Sequence, residues 1–196
     1  MNAPVLSTDR LLLRGWRESD REPFAEMNAD PEVTEFLLGP MTRAESDDLV
    51  DRIEASFATK GYGLWAVEVV GEPEFIGYVG LWDPTFDAPF APAVEVGWRL
   101  ARSAWGHGYA TEGARAAMQY GFETVGLAEI VSFTATVNVR SRAVMERLGM
   151  TCDPDEDFEH PRVAVDSPLR RHVLYRLAST ATPSTARASH QASSSS

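Results

Sequence analysis

Apolar side chains recur along the chain at two spacings, and the spacing separates predicted helices from predicted strands. Leu49, Ile53 and Phe57 stand four residues apart, so that in an α-helix they would share one face. This pattern predicts an amphipathic helix over residues 43–60, ended by Gly61. Three further helices are predicted over residues 19–28, 109–124 and 139–148.

Two capping boxes predict where the first two helices begin. In this motif a Ser or Thr precedes a Glu by three residues, and each side chain binds the backbone N–H of the other residue. Thr42 and Glu45 have this spacing at the start of the helix over residues 43–60. Ser19 and Glu22 repeat it, which predicts that the first helix begins at Ser19.

Short runs of apolar and β-branched residues predict strands between the helices. Gly71 and Pro73 separate two of the runs and predict a hairpin turn over residues 71–74, while three prolines within residues 82–92 predict a loop. A strand–helix–strand order in the second half favours one parallel pair. The sum is a mixed α+β domain with about seven strands and four helices. The principal runs cover residues 10–16, 64–70, 75–81, 93–101, 129–137 and 171–177.

The 196 residues fit one domain more easily than two, and a chain of this length buries enough surface to fold without a metal or a disulfide. Residues 179–196 are mostly Ser, Thr and Ala, and they lack the large apolar side chains that offset the entropy of ordering. We therefore expect one domain over residues 1–178, followed by a disordered tail.

A formal charge of −11 disfavours binding to nucleic acids or an anionic membrane, because those partners carry the same sign. No apolar run is long enough to span a bilayer, and the first ten residues lack the pattern of an export signal. Cys152 is the single cysteine, and the histidines show no metal-ligand spacing. We therefore expect a cytoplasmic protein without a metal, a nucleic-acid partner or a membrane partner.

A glycine-rich stretch at residues 105–110 has the composition of an anion site. It joins a predicted strand to a predicted helix, so several backbone N–H groups and the positive end of the helix point at one spot, which favours a phosphate. Gly106 and Gly108 let a ligand approach the backbone closely. The stretch matches neither a dinucleotide GxGxxG nor a Walker motif, which disfavours NAD and ATP. These residues alone leave open a simple tight turn.

Several motifs in the right order resemble the GCN5-related N-acetyltransferase (GNAT) superfamily, and within it the ribosomal-protein N-terminal acetyltransferase-like (Rim-type) branch. TDRLLLRGWRESD resembles the first strand and helix start of that branch, and AWGHGYATEGARA resembles its acetyl-CoA pyrophosphate loop. NVRS, followed by MERLGM, resembles its N-x-x-S signature, and HVLYR resembles its last strand. One position departs from the pattern: Ser103, beside Arg102, stands where the loop often has Gln or Arg.

The resemblance implies the GNAT fold, with a central, mostly antiparallel seven-stranded sheet, one splayed parallel pair and about four flanking helices. It implies transfer of acetyl from acetyl-CoA to a primary amine by direct attack in a ternary complex. The acceptor would be a protein N-terminus or a small-molecule amine. A non-catalytic acyl-CoA-binding sensor or interaction module is the alternative, and both monomer and homodimer stay open.

By resemblance, CoA would fill the opening between the splayed strands. Its pyrophosphate would lie on the N–H groups of the glycine-rich loop, its pantetheine arm would follow the strand edge before the loop, and Asn138 would hold that arm. Arg102, Arg140 or Arg142 would suit the 3′-phosphate through the fork of donors on an arginine, with solvated surface arginines as the alternative. The predicted cofactor-binding residues are Trp98, Arg99, Leu100, Arg102, Trp105, Gly106, His107, Gly108, Tyr109, Ala110, Thr111, Asn138, Arg140 and Ser141.

An amine must lose a proton before it attacks, because its free pKa is about 10. Glu95 is the candidate base, and an exposed strand carboxylate or a structural partner of an arginine is its alternative role. A backbone N–H near Trp98 would bind the oxyanion, a contact typically worth about 10²–10³ in rate. Ser141 is the candidate group that protonates or stabilises the CoA thiolate, and its alternative role is to satisfy N–H groups at a helix start.

Aromatic residues are the candidates for the wall of the acceptor site, namely Phe36, Trp82, Phe86 and Phe90. For the last three, covering the core beneath a long loop is the alternative. Residues 152–160 carry five carboxylates in nine positions. A solvated acidic loop is the default interpretation, but beside the acceptor site this segment would favour a cationic acceptor.

Overall fold

The computed structural model describes residues 3–180, and its central element is one nine-stranded sheet. The strands are β1 (Leu6–Ser7), β2 (Leu11–Arg14), β3 (Leu64–Val69), β4 (Glu72–Trp82), β5 (Glu95–Leu100), β6 (Glu129–Ala135), β7 (Thr151–Cys152), β8 (Phe158–Glu159) and β9 (Arg171–Ala178). Their order is β1-β2-β3-β4-β5-β6-β9-β7, and β8 also pairs with β9. The β5–β6 pair is parallel, and the other described pairs are antiparallel.

The predicted mixed sheet, mostly antiparallel with one parallel pair, is confirmed. The strand count exceeds the expected seven because β1, β7 and β8 are each only two residues long. Two residues are too few to show a periodic pattern, so such strands are invisible in the sequence. The hairpin is also tighter than predicted: β4 begins at Glu72, which is already paired with Val69.

All four predicted helices are present. They are α1 (Arg21–Ala29), α2 (Arg43–Lys60), α3 (Tyr109–Tyr120) and α4 (Val139–Arg147). The capping box of α2 is confirmed, since the N–H of Thr42 donates to Glu45 Oε2 (2.8 Å) and Thr42 Oγ1 accepts from the N–H of Glu45 (3.3 Å). Gly61 ends α2 with a φ of 77°, a conformation that favours glycine. Among the described helices, none is both long and apolar enough to cross a membrane.

The predicted start of the first helix at Ser19 is wrong. A single 3₁₀ turn, Glu18–Asp20, precedes α1, and the carboxylate of Asp20 accepts the backbone N–H of Arg17 (2.7 Å). The physical reason is an ionic contact that the local pattern does not show. Asp20 is held in the interior by Arg14 of β2, so its carboxylate accepts the N–H of Arg17 at the start of the turn, and α1 itself begins only at Arg21.

Arg14, Asp20 and Glu68 form a buried ionic cluster that joins β2, the 3₁₀ turn and β3. The guanidinium of Arg14 donates to the two Asp20 oxygens (2.6 and 2.9 Å) and to Glu68 Oε1 (2.6 Å). These three side chains are only 3–6% exposed, whereas Arg17, which also donates to Glu68, is 53% exposed. Each buried charge therefore depends on its partners in place of water.

Helices α1 and α3 cover opposite faces of the sheet. Phe24 of α1 packs edge-to-face against Tyr78 of β4, with ring centroids 6.0 Å apart. Gly113 of α3 lies directly against the next residue, Val79. Because successive residues of a strand point to opposite faces, each helix has its own side of the sheet.

The parallel strands β5 and β6 meet at one point and then part. Their register has a single Cα pair, Glu95 with Val131. The N–H of Val131 donates to Val94 O (2.9 Å), and Ser132 Oγ donates to Val96 O (2.9 Å). Beyond Val96 the edge of β5 is not paired with β6, so the expected splayed pair is confirmed.

Residues 181–196, most of the predicted disordered tail, lie outside the described residues. The chain leading to them is tied to the sheet, since the N–H of Ser179 donates to Ala128 O (2.8 Å). The assignment of residues 1–178 to one domain stays a prediction.

We expect Arg14→Met to lower the free energy of unfolding by about 3–5 kcal/mol, because it leaves buried Asp20 without its cation and buried Glu68 with only the exposed Arg17. The matched control is Arg17→Met, which removes an exposed partner of the same Glu68 and should cost about 1 kcal/mol or less. Urea denaturation of the two variants measures both values. Equal effects would contradict the importance of the buried cluster.

Candidate active site

A cavity of about 780 Å³ lies beside the end of β5, where β6 has moved away. Its walls come from β5, the glycine-rich loop, the first turns of α3 and α4, and the segment between α1 and α2. All the predicted cofactor-binding residues except Arg102 line it, and so does Phe36 of the predicted acceptor wall. Tyr78 and Arg147 also line the cavity, although the sequence pattern did not single them out.

The glycine-rich loop has the backbone conformation that a close ligand contact requires. Gly106 and Gly108 have φ values of 81° and 80°, which L-residues with side chains rarely adopt. Gly108 is the residue immediately before α3 and carries no side chain to cover the first turn of that helix. The N–H groups of this turn therefore face the cavity with the positive end of the helix dipole, an arrangement suited to a phosphate.

The loop is tied to the N-terminal edge of the sheet, a link that sequence analysis missed. Arg10 donates through Nη1 to His107 O (3.0 Å) and through Nε to Glu112 Oε2 (2.7 Å). Glu112 Oε1 accepts from Thr8 Oγ1 (2.6 Å) and from the N–H of Arg10 (3.0 Å). Partial burial opposes the charged form of Glu112, but these hydrogen bonds outweigh it and lower the pKa of that carboxyl.

The unpaired edge of β5 presents backbone groups to the cavity. Val94 O and Val96 O both point toward β6, so by the two-residue period of a strand the N–H and C=O of Trp98 point the same way. The next carbonyl in this series, Leu100 O, accepts the indole N–H of Trp105 (2.8 Å). The main chain of Trp98 thus faces the opening without a strand partner.

Asn138 and Ser141 act together at the start of α4. Asn138 Oδ1 accepts the N–H of Ser141 (3.2 Å), so Asn138 is the helix cap, a role the sequence analysis considered for Ser141. Asn138 Nδ2 donates to Thr134 Oγ1 (2.9 Å) and to Ser141 Oγ (3.1 Å). Because Ser141 Oγ already accepts a hydrogen bond, its own proton is free to be donated into the cavity that it lines.

Two of the predicted phosphate-binding arginines are paired with carboxylates of the segment between α1 and α2. Arg102 binds Glu32, and Arg140 binds Glu35 (2.7 Å). Arg140 also lies over the Trp105 ring, with its central carbon 4.4 Å from the ring centroid. Of the three arginines considered for the 3′-phosphate, Arg140 lines the cavity, whereas Arg102 and Arg142 lie outside its lining.

Glu95 lies where β5 and β6 meet, on the face of β5 that also carries Gly97 and Arg99. It is half-buried, outside the lining of the cavity, and burial raises the pKa of its carboxyl to about 8. Among residues 3–180, no side chain forms an ion pair or hydrogen bond with this carboxyl. The structure therefore provides no arginine partner of the kind that a structural role would require.

The other predicted acceptor residues lie away from the cavity. Phe86 and Phe90, on the loop between β4 and β5, pack on Phe133 and Phe158, with centroid distances of 5.2–6.5 Å. This group, which we call the aromatic cluster, also contacts Val131, the register partner of Glu95. Trp82 packs against the main core and is the cross-strand partner of Glu95. These aromatic residues thus lie around the point where β5 and β6 pair, away from the glycine-rich loop.

The acidic segment at residues 152–160 is largely neutralised by arginines. Glu156 pairs with Arg176 (2.8 Å), Asp157 with Arg171 (3.2 Å) and Glu159 with Arg170 (2.8 Å). Its attraction for a cationic acceptor is correspondingly reduced. In the part of the chain that the structure describes, no group of three or more His, Cys, Asp or Glu side chains is arranged to hold a metal ion.

Known proteins resemble this chain in sequence and in fold. A fungal relative from Aspergillus fumigatus, FsC-acetyl coenzyme A-N(2)-transacetylase, is 35% identical over 158 residues, which are 76% of this chain. The match covers 65% of the fungal protein, slightly less than two-thirds of its length. An acetyltransferase structure from Agrobacterium tumefaciens superposes with a TM-score of 0.75 and 29% identity, covering 91% of this chain and 96% of that one.

The fold is shared with RimL, a ribosomal L7/L12 alpha-N-protein acetyltransferase solved in complex with coenzyme A. Its TM-score is 0.72 at 16% identity, over 89% of this chain and 98% of that one. Residues 10–151, most of the chain, match the Acetyltransferase (GNAT) domain family. Members of this family use acetyl-CoA as co-substrate and act on amine acceptors. The chain therefore belongs to the GNAT family of acetyltransferases.

Proposed function

We propose that the chain transfers acetyl from acetyl-CoA to a primary amine by direct attack in a ternary complex, the acceptor being a protein N-terminus or a small-molecule amine. The observation that carries the proposal is the convergence at the splayed strands. The glycine-rich loop, the free main chain of Trp98 and the hydroxyl of Ser141 share one cavity, and Glu95 lies on the strand that forms its wall. The name of the fungal relative, which specifies transfer to a nitrogen, supports an amine acceptor.

The residues around the loop fit the anionic part of CoA. The N–H groups of residues 106–110 and the first turn of α3 would hold the pyrophosphate, and Arg140 would hold the 3′-phosphate. The edge of β5 at Trp98 and the amide of Asn138 would pair with the amides of the pantetheine arm. When bound, acetyl-CoA supplies an activated acetyl thioester.

Glu95 would take the proton that the acceptor amine must lose, directly or through a water molecule. A carboxyl with a pKa of about 8 is a stronger base than an ordinary glutamate, and general bases act best when their pKa lies near the working pH. Burial among apolar neighbours provides this basicity. The proton would move from the amine nitrogen to the Glu95 carboxylate as the nitrogen attacks.

The groups on the cavity side would stabilise the charges that form during transfer. The N–H of Trp98 would bind the thioester oxygen as negative charge develops on it. Ser141, with its oxygen held by Asn138 Nδ2, would donate its proton to the departing sulfur.

A non-catalytic acyl-CoA-binding module is the competing interpretation, and release of free CoA separates the two. The purified chain would be incubated with acetyl-CoA and a panel of peptides and small amines, and thiol release would be followed with a thiol reagent. Turnover with any amine supports the proposed function. CoA binding by calorimetry without release from the whole panel would favour the binding module.

We expect Gly108→Val to reduce CoA affinity below detection by calorimetry, because a β-branched side chain does not tolerate a φ of 80° and would move the loop that presents the N–H groups. Gly126→Val is the control, since Gly126 has a similar φ of 78° and is not among the residues lining the cavity. This control should bind CoA normally. Unchanged CoA affinity in folded Gly108→Val would contradict the phosphate role of the loop.

We expect the wild-type kcat/KM to rise from about pH 6 to about pH 8.5 and then level off. The raised pKa of Glu95, about 8, keeps the carboxyl protonated at lower pH, and only the deprotonated form accepts a proton. Glu95→Gln should remove this rise and lower kcat by about 10²-fold or more, with CoA affinity unchanged. The control is Glu129→Gln, at an exposed position on β6. A wild-type rate and pH profile in Glu95→Gln would remove its role as base.

We expect Ser141→Ala to lower kcat by about 10–10²-fold while CoA still binds, because the departing sulfur loses its proton donor. Ser141→Thr, which keeps the hydroxyl, should restore most of the rate. Steady-state kinetics and calorimetry measure the two effects. Equal rates in Ser141→Ala and the wild type would show that the serine is not the acid.

A further inference from the structure

The cavity contains a partly buried cation that has no counter-ion among residues 3–180. Arg102 and Arg140 are paired with Glu32 and Glu35, and Arg147 is exposed to water. Arg99 lines the cavity from β5, is half-buried, and takes part in no ion pair within residues 3–180. Charges removed from water are costly without a partner, so this guanidinium is suited to an anionic ligand.

Neutral neighbours hold the Arg99 side chain in place. Its Nη1 donates to Asn28 Oδ1, and its guanidinium lies 5.5 Å from the centroid of the Tyr78 ring. Asn28 is fully buried, and its own Nδ2 donates to Ser46 Oγ (2.8 Å), which fixes the orientation of the amide. The arginine is therefore positioned in advance, but its positive charge is not neutralised.

The remaining donors of Arg99 form an edge that matches a carboxylate. One terminal nitrogen is used by Asn28, whereas Nε is buried and has no hydrogen-bond partner in the described structure. In a guanidinium, Nε–H and one N–H of the second terminal nitrogen are parallel and bind the two oxygens of a carboxylate together. Because Nε is covered by protein atoms, a carboxylate would bind the second terminal nitrogen first and would reach Nε only after a small movement of the side chain.

The position of Arg99 favours the acceptor as the source of that anion. Glu95, Gly97 and Arg99 share one face of β5, which is the face of Tyr78 and α1. The helix whose N-terminus forms the phosphate site, α3, packs on the other face, against Val79. The amine must reach Glu95, so an acceptor lying along this face meets Arg99 four residues further on, about 13 Å between Cα atoms.

We propose that Arg99 binds a carboxylate of the acceptor, so that the natural substrate is an amine that also carries an acidic group several bonds away. This inference rests on the proposed transfer to an amine, and it specifies that the acceptor also carries a negative charge. It also changes the role of Arg99, because its side chain would select the substrate instead of binding the cofactor.

The test compares matched pairs of amines that differ only in charge, 4-aminobutyrate with 4-aminobutanamide and 6-aminohexanoate with 6-aminohexanamide. We expect the wild type to favour the acid of at least one pair by about 10- to 100-fold in kcat/KM, mainly through KM, as is typical of a charged hydrogen bond. Arg99→Gln should reduce the preference to within about threefold, and Arg99→Lys should keep part of it. Acetylation of amines with no preference for any acid would overturn the inference.

Asn28→Asp is a second variant that leaves Arg99 in place. It puts a carboxylate against the guanidinium, and the resulting internal ion pair should abolish the preference for acids as Arg99→Gln does. A retained preference in this folded variant would contradict the proposal.

Calorimetry with CoA separates the two sources of an anion. Unchanged CoA affinity in Arg99→Gln supports the acceptor as the ligand of this side chain, whereas a large loss would assign it to the CoA phosphates and overturn the proposal. Absence of CoA release with every amine in the earlier panel would instead refute the proposed function itself.

Discussion

The site depends on one constraint, which is that β5 and β6 pair at a single position and then separate. Glu95 and Val131 pair, Ser132 reaches Val96 through its side chain, and beyond this point the strands have no common ladder. A fully paired sheet would satisfy the main chain of Trp98 internally. Because the strands part, an unpaired strand edge lies inside the fold, beside a helix N-terminus that also has unsatisfied donors. An amide-rich, phosphate-bearing ligand would satisfy both at once, so this one irregularity in the sheet supports the proposed cofactor site.

The chain is negative overall, but the groups that line the cavity are largely positive. A formal charge of −11 disfavours polyanions in bulk, yet the cavity is lined by arginines, main-chain N–H groups and one helix end. The surplus acid lies elsewhere, and much of it is balanced locally, as in the pairs that Glu156 and Glu159 form with arginines. Net charge therefore bears on large partners only, whereas the local charge around the cavity bears on small ligands.

Local pattern was sufficient to predict the helices, the main strands and the loop at Gly106 and Gly108, because periodicity and turn chemistry are properties of neighbouring residues. Local pattern failed where the structure depends on contacts between residues that are far apart in the sequence. The tie from Arg10 to the loop spans about a hundred positions, and Asp20 replaces Ser19 at the first turn because Arg14 attracts it. The positions of Phe86 and Phe90 likewise follow from packing on β6 and β8. The neutral surroundings of Arg99 are visible only when Asn28 and Tyr78 are in place beside it.

The wall of the cavity between α1 and α2 is fastened differently from the rest of the site. Its two ionic links, Glu32 with Arg102 and Glu35 with Arg140, are formed by side chains that are 51–57% exposed. Mobile ions screen such contacts over about 8 Å at physiological ionic strength, while hydrogen bonds of the buried main chain are hardly affected. The wall of the cavity between α1 and α2 is therefore sensitive to salt, whereas the wall formed by β5 is not. Rising ionic strength should loosen this wall before it affects the backbone hydrogen bonds that hold β5 against β4.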